Sequence, residues 1–341
     1  MPSEAAFAPE SSRQALRLAL AMAIGLTFEE ARDQPFPFIT AMFAVQMLAR
    51  SSHPPTLKQG IGFAIVLALA SWVALTLCGL LLHRPVAYLL VLGCVFLACF
   101  YLQARGKGGP LPQLLLICNV MLPVLAVLSA DLAVDFSNIM IDSAIGAPLI
   151  VWLVHAILPT RSMAPAVANA RLPMPNADAA GHALLAAVVL MLPFTYFMLH
   201  AEEASIVFLV TCIGIMSQGS DARGRIAVGL TVGNLIGGVA ATLAYGVVTL
   251  LPILVMLFLV TLLAGLVLAA RLYTPSPLAP VFGVALSTFL ILFGLGLAPI
   301  GDGSAAAFMT RIVDVALAWL YAIGAITLFS AIRRPSENIP A

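Results

Sequence analysis

KQGIGFAIVLALASWVALTLCGLLLHRPVAYLLVLGCVFLACFYLQA, residues 58–104, contains only two charged side chains, Lys58 at its start and Arg84 near its middle. A helix needs about 20 apolar residues to cross a bilayer, and this stretch supplies two such runs, separated by a short break that ends at Pro85. Apolar runs with polar breaks recur along the chain. The sequence therefore predicts an all-α integral membrane protein.

The composition of the whole chain agrees with this stretch. Of the 341 residues, 62% are apolar and 9% are charged, and the mean hydropathy is +1.08. A soluble domain has about 25% charged residues. The net charge of +1 gives no overall field that attracts nucleic acid, so the lipid bilayer is the expected environment and no nucleic-acid partner is expected.

The apolar runs predict about twelve membrane-spanning helices. Three of the runs are short, which leaves a count of ten to twelve. We place the helices near 14–28, 36–50, 58–82, 85–104, 111–130, 137–158, 181–199, 203–218, 224–249, 251–271, 277–297 and 308–331.

These helices are predicted to form two tandem six-helix repeats in parallel orientation. When the chain is aligned on itself so that Gly62 meets Gly229, Pro85 also meets Pro252, and the turns coincide. Halves of this kind are related by an axis along the membrane normal, a plan common in transporters. The predicted organisation is an N-terminal tail at 1–12, a first repeat at 13–158, a linker at 159–180, a second repeat at 181–331 and a tail at 332–341.

The basic residues set the predicted orientation, because Lys and Arg concentrate in cytoplasmic loops. With the N-terminus inside, all of the 16 basic residues except Arg32, Arg84 and Arg311 fall on the inner side. We therefore expect a multi-pass protein of the inner membrane with both termini, the linker and the tails in the cytoplasm.

Ionisable side chains within spans are the first candidates for function, since each costs about 2.5–3.5 kcal/mol at the centre of a membrane helix. Arg311 and Asp314 stand three residues apart on one face of the last predicted helix. Asp142 occupies the matching place in the first half. A substrate or proton-coupling site and a structural ion pair near the interface both remain open for these residues.

The ninth predicted helix carries glycines at every fourth position, Gly229, Gly233 and Gly237. Their common face permits the close approach of another helix, so helix packing is their predicted role. Asn234 lies within this helix and must find a hydrogen bond in the bundle or offer one to a ligand. Asn119 poses the same question in the first half.

Lys58 and Arg225 begin the third and ninth predicted helices at equivalent positions. They are candidates for a cytoplasmic entrance, and the alternative is that they only follow the positive-inside rule. The histidines and cysteines show no spacing typical of a metal site or a nucleophile–base pair. No ATP-binding, prenyl-transfer or hydrolase motif is present either, so neither a cofactor nor a metal nor enzyme activity is expected.

Several of these segments resemble the fusaric acid resistance or aromatic acid exporter family. The resemblance covers about residues 13–331 and is to the short branch that lacks large cytoplasmic domains. The matching segments are Arg13-Gln-Ala-Leu-Arg17, Pro35-Phe-Pro-Phe-Ile-Thr40, the helix from Arg225 through Asn234 to Gly237, Arg311-x-x-Asp314 and, more weakly, Asp142-x-x-x-Gly146.

The resemblance implies an inner-membrane efflux transporter of small aromatic carboxylic acids or similar toxic compounds, working with a periplasmic adaptor protein and an outer-membrane channel. Because no ATP-binding motif is present, the expected drive is the proton gradient, with Asp314 or Asp142 as the protonatable group. A homo-oligomer is left open. So are a major-facilitator-type antiporter, whose loop motif resembles Gly219-Ser-Asp221-Ala-Arg223-Gly-Arg225, and a non-transporting membrane scaffold or assembly factor.

Overall fold

The structure is a computed structural model, and its described part consists of helices joined by turns. It describes residues 4–51, 53–107, 111–160, 174–200, 206–216, 225–276, 278–297, 310, 313, 314, 316–318, 320–325 and 327, with residues 4–9, 50, 177, 206, 207, 210 and 225–231 described as helix backbone only. The helices are α1 (Glu4–Glu30), α2 (Phe38–Arg50), α3 (Leu57–Leu81), α4 (Pro85–Ala104), α5 (Leu111–Leu128), α6 (Ala130–Ile157), α7 (Asn176–Leu199), α8 (Ile206–Met216), α9 (Arg225–Leu250), α10 (Leu254–Leu272) and α11 (Ala279–Leu297).

Eight of the described helices are long and apolar enough to cross a membrane. They are α3, α4, α5, α6, α7, α9, α10 and α11. Within α7 and α9, the apolar spans are Asp178–Leu199 and Val232–Leu250. Shorter apolar helices lie at Phe38–Ala49 and Ala316–Ala325. The multi-pass membrane class predicted from composition is therefore confirmed, while the twelve spans and the tandem repeat stay predictions.

The first helix is longer than its apolar run. It begins at Glu4, so residues 4–12, which the sequence analysis assigned to a tail, continue the helix. Charged residues such as Glu10 and Arg13 end the hydropathy signal without ending the helix, because a polar residue does not interrupt the backbone hydrogen bonds.

Prolines inside helices leave backbone carbonyls without their usual donor, because proline has no N–H for the residue four positions earlier. Pro193 lies inside α7 and would otherwise bond to Val189. The hydroxyl of Tyr321 donates to the Val189 carbonyl at 2.8 Å. Here a side chain supplies the hydrogen bond that proline removed.

The chain divides into two compact units, each made of segments distant in sequence. The first unit contains α1, α2, the start of α3, most of α6, α9, α10 and α11. The second contains the rest of α3, the start of α6, α4, α5, α7 and α8. Both units combine segments from the two sides of the predicted linker.

Glycines bring helices of the first unit into close contact. A Cβ at Gly233 of α9 would lie 2.7 Å from the Val281 carbonyl oxygen of α11. A Cβ at Gly265 of α10 would lie 3.0 Å from the Cα of Ala19 in α1. These distances leave no room for a side chain, so small residues determine how closely α9 packs on α11 and α10 on α1.

Aromatic rings fill the interior of the second unit. Phe96 of α4 and Phe194 of α7 are both fully buried and meet edge to face with centroids 5.8 Å apart. Phe197 of α7 meets Phe208 of α8 in the same manner at 5.7 Å. Edge-to-face pairs at this separation are favourable beyond the area they bury.

Candidate functional site

The end of α1 forms a turn with a fixed backbone. The Gln34 amide donates to the Glu29 carbonyl at 3.2 Å, and the Asp33 amide donates to the Glu30 carbonyl at 3.0 Å. Asp33 has a φ of 53°. This is the Schellman arrangement, in which the residue after the helix is left-handed and is usually glycine, although aspartate tolerates the conformation. The turn places Arg32 at the C-terminal end of the helix, where a cation is favoured.

Glu29 is a buried carboxylate beside this turn, with only 3% of its surface exposed. The hydroxyl of Thr40 in α2 donates to Glu29 Oε1 at 2.7 Å. Thr40 Oγ1 also lies 2.8 Å from Ser143 Oγ in α6. Because a hydroxyl carries one hydrogen, Thr40 gives its proton to the charged carboxylate and accepts one from Ser143.

Arg32 joins the buried carboxylate to an exposed one. One of its terminal nitrogens lies 3.5 Å from Glu29 Oε2, and the other lies 3.2 Å from Asp142 Oδ2. The side chains of Arg32 and Asp142 are 42% and 51% exposed. We call Glu29, Arg32, Thr40, Asp142 and Ser143 the Glu29 cluster.

Gly146 lies one helical turn after Asp142 on α6 and makes room for the cluster. A Cβ at this position would lie 3.2 Å from the Thr40 methyl carbon, a tighter contact than most. Glycine therefore allows α6 to come close enough to α2 for the Thr40 and Ser143 hydroxyls to meet.

Carboxylates outnumber the arginine at this end of α1. Burial, and then the nearby Asp33 carboxylate, raise the pKa of Glu30 above its ordinary value. Glu29 and Asp142 add two further acids around Arg32. The local charge therefore favours a proton or another cation over an anion. Within the described residues, no three His, Cys, Asp or Glu side chains are grouped so that they could hold a metal ion.

A second buried polar group lies nearer the N-terminus of α1. Arg17 is fully buried and donates to the Leu158 carbonyl at 2.7 Å, to the Gln14 side chain at 2.7 Å and to Glu10 at 3.0 Å. Gln14 in turn donates to the Leu48 carbonyl at 3.0 Å. We call Glu10, Gln14 and Arg17 the Arg17 cluster.

The Arg17 cluster binds carbonyls at the C-terminal ends of two helices. Leu158 directly follows α6, and Leu48 is in the last turn of α2. Carbonyls at helix ends lack intrahelical partners, so side-chain donors stabilise them. Tyr273 lies close to this cluster, and burial raises the pKa of Tyr273 to about 12, an effect that Gln14 and Arg17 partly oppose. These contacts give the buried arginine a structural role, because the Arg17 cluster connects α1 to the C-terminal ends of α2 and α6.

The second unit has an open apolar groove between α4 and α7. Its volume is about 540 Å³, and lining residues such as Leu184 and Leu192 are exposed, so it is an open groove on the surface of the unit and not an enclosed pocket. Among its lining residues are Leu97, Leu184, Met191, Thr195 and Tyr196. A groove of this composition suits an aromatic ring or a lipid chain.

Among the candidate residues of the sequence analysis in the first unit, Asp142 belongs to the Glu29 cluster. Asn234 is placed elsewhere, since its side-chain oxygen accepts a hydrogen bond from Thr288 on α11. Gly233 and Gly237 face α11, and a Cβ at Gly237 would clash with the Ala285 carbonyl. Lys58 is exposed at the start of α3.

Asn119 is 1% exposed in α5 of the second unit, and its amide group donates to the Leu115 carbonyl at 2.9 Å. Asp314 is half-buried, also in the second unit. Arg311 lies outside the described residues. Gly229 and Arg225 are described only as backbone of α9, so their side-chain roles stay predictions.

Sequence reasoning missed Glu29, Arg32, Thr40 and Ser143 as site residues. It assigned Glu29 and Arg32 to an outer loop because Glu29-Glu30 follows the apolar run directly. One signal was available, since Glu29 and Arg32 have the three-residue spacing of a helical ion pair. Nothing in the sequence shows that Ser143, which lies 103 positions after Thr40, is its hydrogen-bond partner.

One comparison with known proteins gives a match. Residues 14–154 are similar to a family described as "Protein of unknown function (DUF2955)". This segment contains all the residues of the Glu29 cluster as well as Gln14 and Arg17. No curated protein and no solved structure matches the chain.

Proposed function

We propose that this chain is an inner-membrane efflux transporter of small aromatic carboxylic acids or similar compounds, driven by the proton gradient. The observation that carries the proposal is the Glu29 cluster, where Arg32 connects buried Glu29 to Asp142 on the membrane-crossing helix α6. Ionisable groups in such helices are costly and typically mark ion pathways or proton relays.

The proposed substrate class rests on the resemblance to aromatic acid exporters and on the apolar groove of the second unit. The groove between α4 and α7 offers Leu97, Met191 and Tyr196, side chains suited to an aromatic ring. Outward movement of a monoanion is also favoured by a membrane potential that is negative inside, by about 2.3 kcal/mol per 100 mV. In this proposal the partners are a periplasmic adaptor protein and an outer-membrane channel.

The test is the accumulation of labelled benzoate in inverted membrane vesicles, with vesicles lacking the protein as the baseline. We expect accumulation above the baseline when a proton gradient is imposed and its collapse when a protonophore is added. Asp142→Asn and Asp314→Asn, singly and together, should alter the pH dependence. Vesicles that accumulate no more benzoate than the baseline would instead support a scaffold or assembly factor.

A further inference from the structure

Arg32 is shared between the carboxylates of Glu29 and Asp142, and this arrangement indicates which of the two carries the transported proton. We infer that Glu29 takes up and releases this proton, and that Arg32 passes from Glu29 to Asp142 alone when Glu29 is neutral. The inference rests on the proposed function for its role in transport. The protonation of Glu29 can nevertheless be measured when no substrate moves.

Burial distinguishes Glu29 from Asp142. Asp142 is half exposed, so water solvates its charge whether or not Arg32 is near. Glu29 is 3% exposed, so its charge depends on the Thr40 hydroxyl and on Arg32. A proton on Glu29 therefore changes the contacts that hold α1, α2 and α6 together, whereas a proton on Asp142 changes mainly solvated surface.

The geometry also favours Arg32 as the moving partner. One terminal nitrogen of Arg32 lies 3.5 Å from Glu29, the other lies 3.2 Å from Asp142, and the side chain is 42% exposed. When Glu29 gains a proton, one O–H bond forms and the charge of the cluster rises by one. The attraction at 3.5 Å is then lost, and Asp142 keeps the guanidinium.

Within the described part of the chain, few other groups can compete for this proton. α2 and α10 each carry one charged residue, Arg50 and Arg271, and both lie in the last turn of their helix, at the end nearer the Arg17 cluster. The described groups near Glu29 are Arg32, Glu30 and Asp33 beside it in sequence, Thr40 on α2, and Asp142 and Ser143 on α6.

The first experiment is an infrared pH titration of the full chain in liposomes, which detects the C=O stretch of protonated carboxyl groups. We expect a titrating component that Glu29→Gln removes. Glu30→Gln is the matched control, because it removes the adjacent carboxyl and should leave that component in place. If the component persists in Glu29→Gln, the assignment is wrong.

Thr40→Val provides a second variant that keeps the carboxyl group. The Thr40 hydroxyl stabilises the charged form of Glu29, so its removal should move the midpoint of that component to higher pH. Ser51→Ala, which removes an exposed hydroxyl after α2, should leave the midpoint unchanged. An unchanged midpoint in Thr40→Val would overturn the inference even if Glu29→Gln does not fold.

The third experiment measures benzoate movement in the same liposomes against protein-free liposomes. Glu29→Gln should lose gradient-driven accumulation and retain benzoate–benzoate exchange, whereas the control Asp178→Asn, at an exposed site, should retain both. Full gradient-driven accumulation in Glu29→Gln would overturn the inference. If the wild type moves no benzoate while the infrared component still depends on Glu29, the proposed function fails and the proton site stands.

Discussion

At the scale of single residues, Arg17 is the most fully buried of the described charged side chains. It is fully buried and joins Glu10, Gln14 and the Leu158 carbonyl. A buried ion pair gives little net stability when it is complete, but removal of one partner leaves an uncompensated charge. The importance of Arg17 therefore lies in what its loss would expose.

We predict that Arg17→Gln destabilises the protein by about 3–5 kcal/mol, because Glu10 stays buried without its cation. The measurement is equilibrium unfolding in detergent. Arg13→Gln is the control, since Arg13 is only half-buried and should change stability little. The double variant Glu10→Met/Arg17→Met should recover part of the loss. A double variant no more stable than Arg17→Gln would contradict this account.

Glu30 gives a prediction about pH. Its pKa in the folded protein is raised by burial and by Asp33, so the folded state holds the proton more tightly than the unfolded state. Stability should therefore fall as the pH rises above the ordinary value of 4.5. Glu30→Gln should raise the Tm at pH 7.5 and have less effect at pH 4.5. Asp178→Asn, at an exposed site, should do neither.

At the scale of helices, contacts between α9 and α11 are set by small side chains. Gly237 faces the Ala285 carbonyl of α11, whereas Gly246, later on the same helix, has no heavy atom within 4 Å of an added Cβ. The two glycines thus lie in the same helix, but a side chain has space at Gly246 and none at Gly237.

We predict that Gly237→Ala destabilises the protein by about 1–3 kcal/mol through overpacking. Gly246→Ala is the matched control and should be neutral or stabilising by about 0.5–1 kcal/mol, because alanine favours the helix. Thermal unfolding of both variants in one detergent measures the difference. Equal effects of the two substitutions would show that α9 does not pack on α11 through Gly237.

Sequence patterns predicted the features that depend on local order. Long apolar runs located α3 to α7 and α9 to α11, and two glycines of the spaced pattern, Gly233 and Gly237, face α11. The Glu29 cluster was beyond such reasoning, because Thr40 and Ser143 meet only after α2 and α6 have packed. The polar start of α1 was also missed, since hydropathy detects membrane burial and not helix length.

At the scale of the whole molecule, the two compact units do not coincide with the two halves of the sequence that were predicted to be repeats. Each unit draws helices from both sides of the linker. A cut or insertion in the linker would therefore leave each unit dependent on both pieces. The orientation in the membrane, in contrast, rests on the distribution of Lys and Arg.

We predict that Ala31→Cys is labelled by a membrane-impermeant maleimide from outside the cell and Ser51→Cys only after permeabilisation. Both positions are exposed, and they lie at opposite ends of the α1–α2 pair. The background for both variants carries Cys94→Ala, since Cys94 is exposed. Labelling of Ser51→Cys in intact cells would reverse the predicted topology.

The shortness of α2 has an electrical consequence for the Glu29 cluster. Its 13 residues span about 20 Å, whereas the hydrocarbon core is about 30 Å thick. Most of α2 is buried within the protein, so if this helix crosses the membrane, water has to reach one of its ends inside the protein. The insulating layer is then narrower there, and the transmembrane voltage drops over a shorter distance. A proton that reaches Glu29, at the start of α2, would then cross only a small part of the voltage drop. The rest of the voltage would fall along the length of α2.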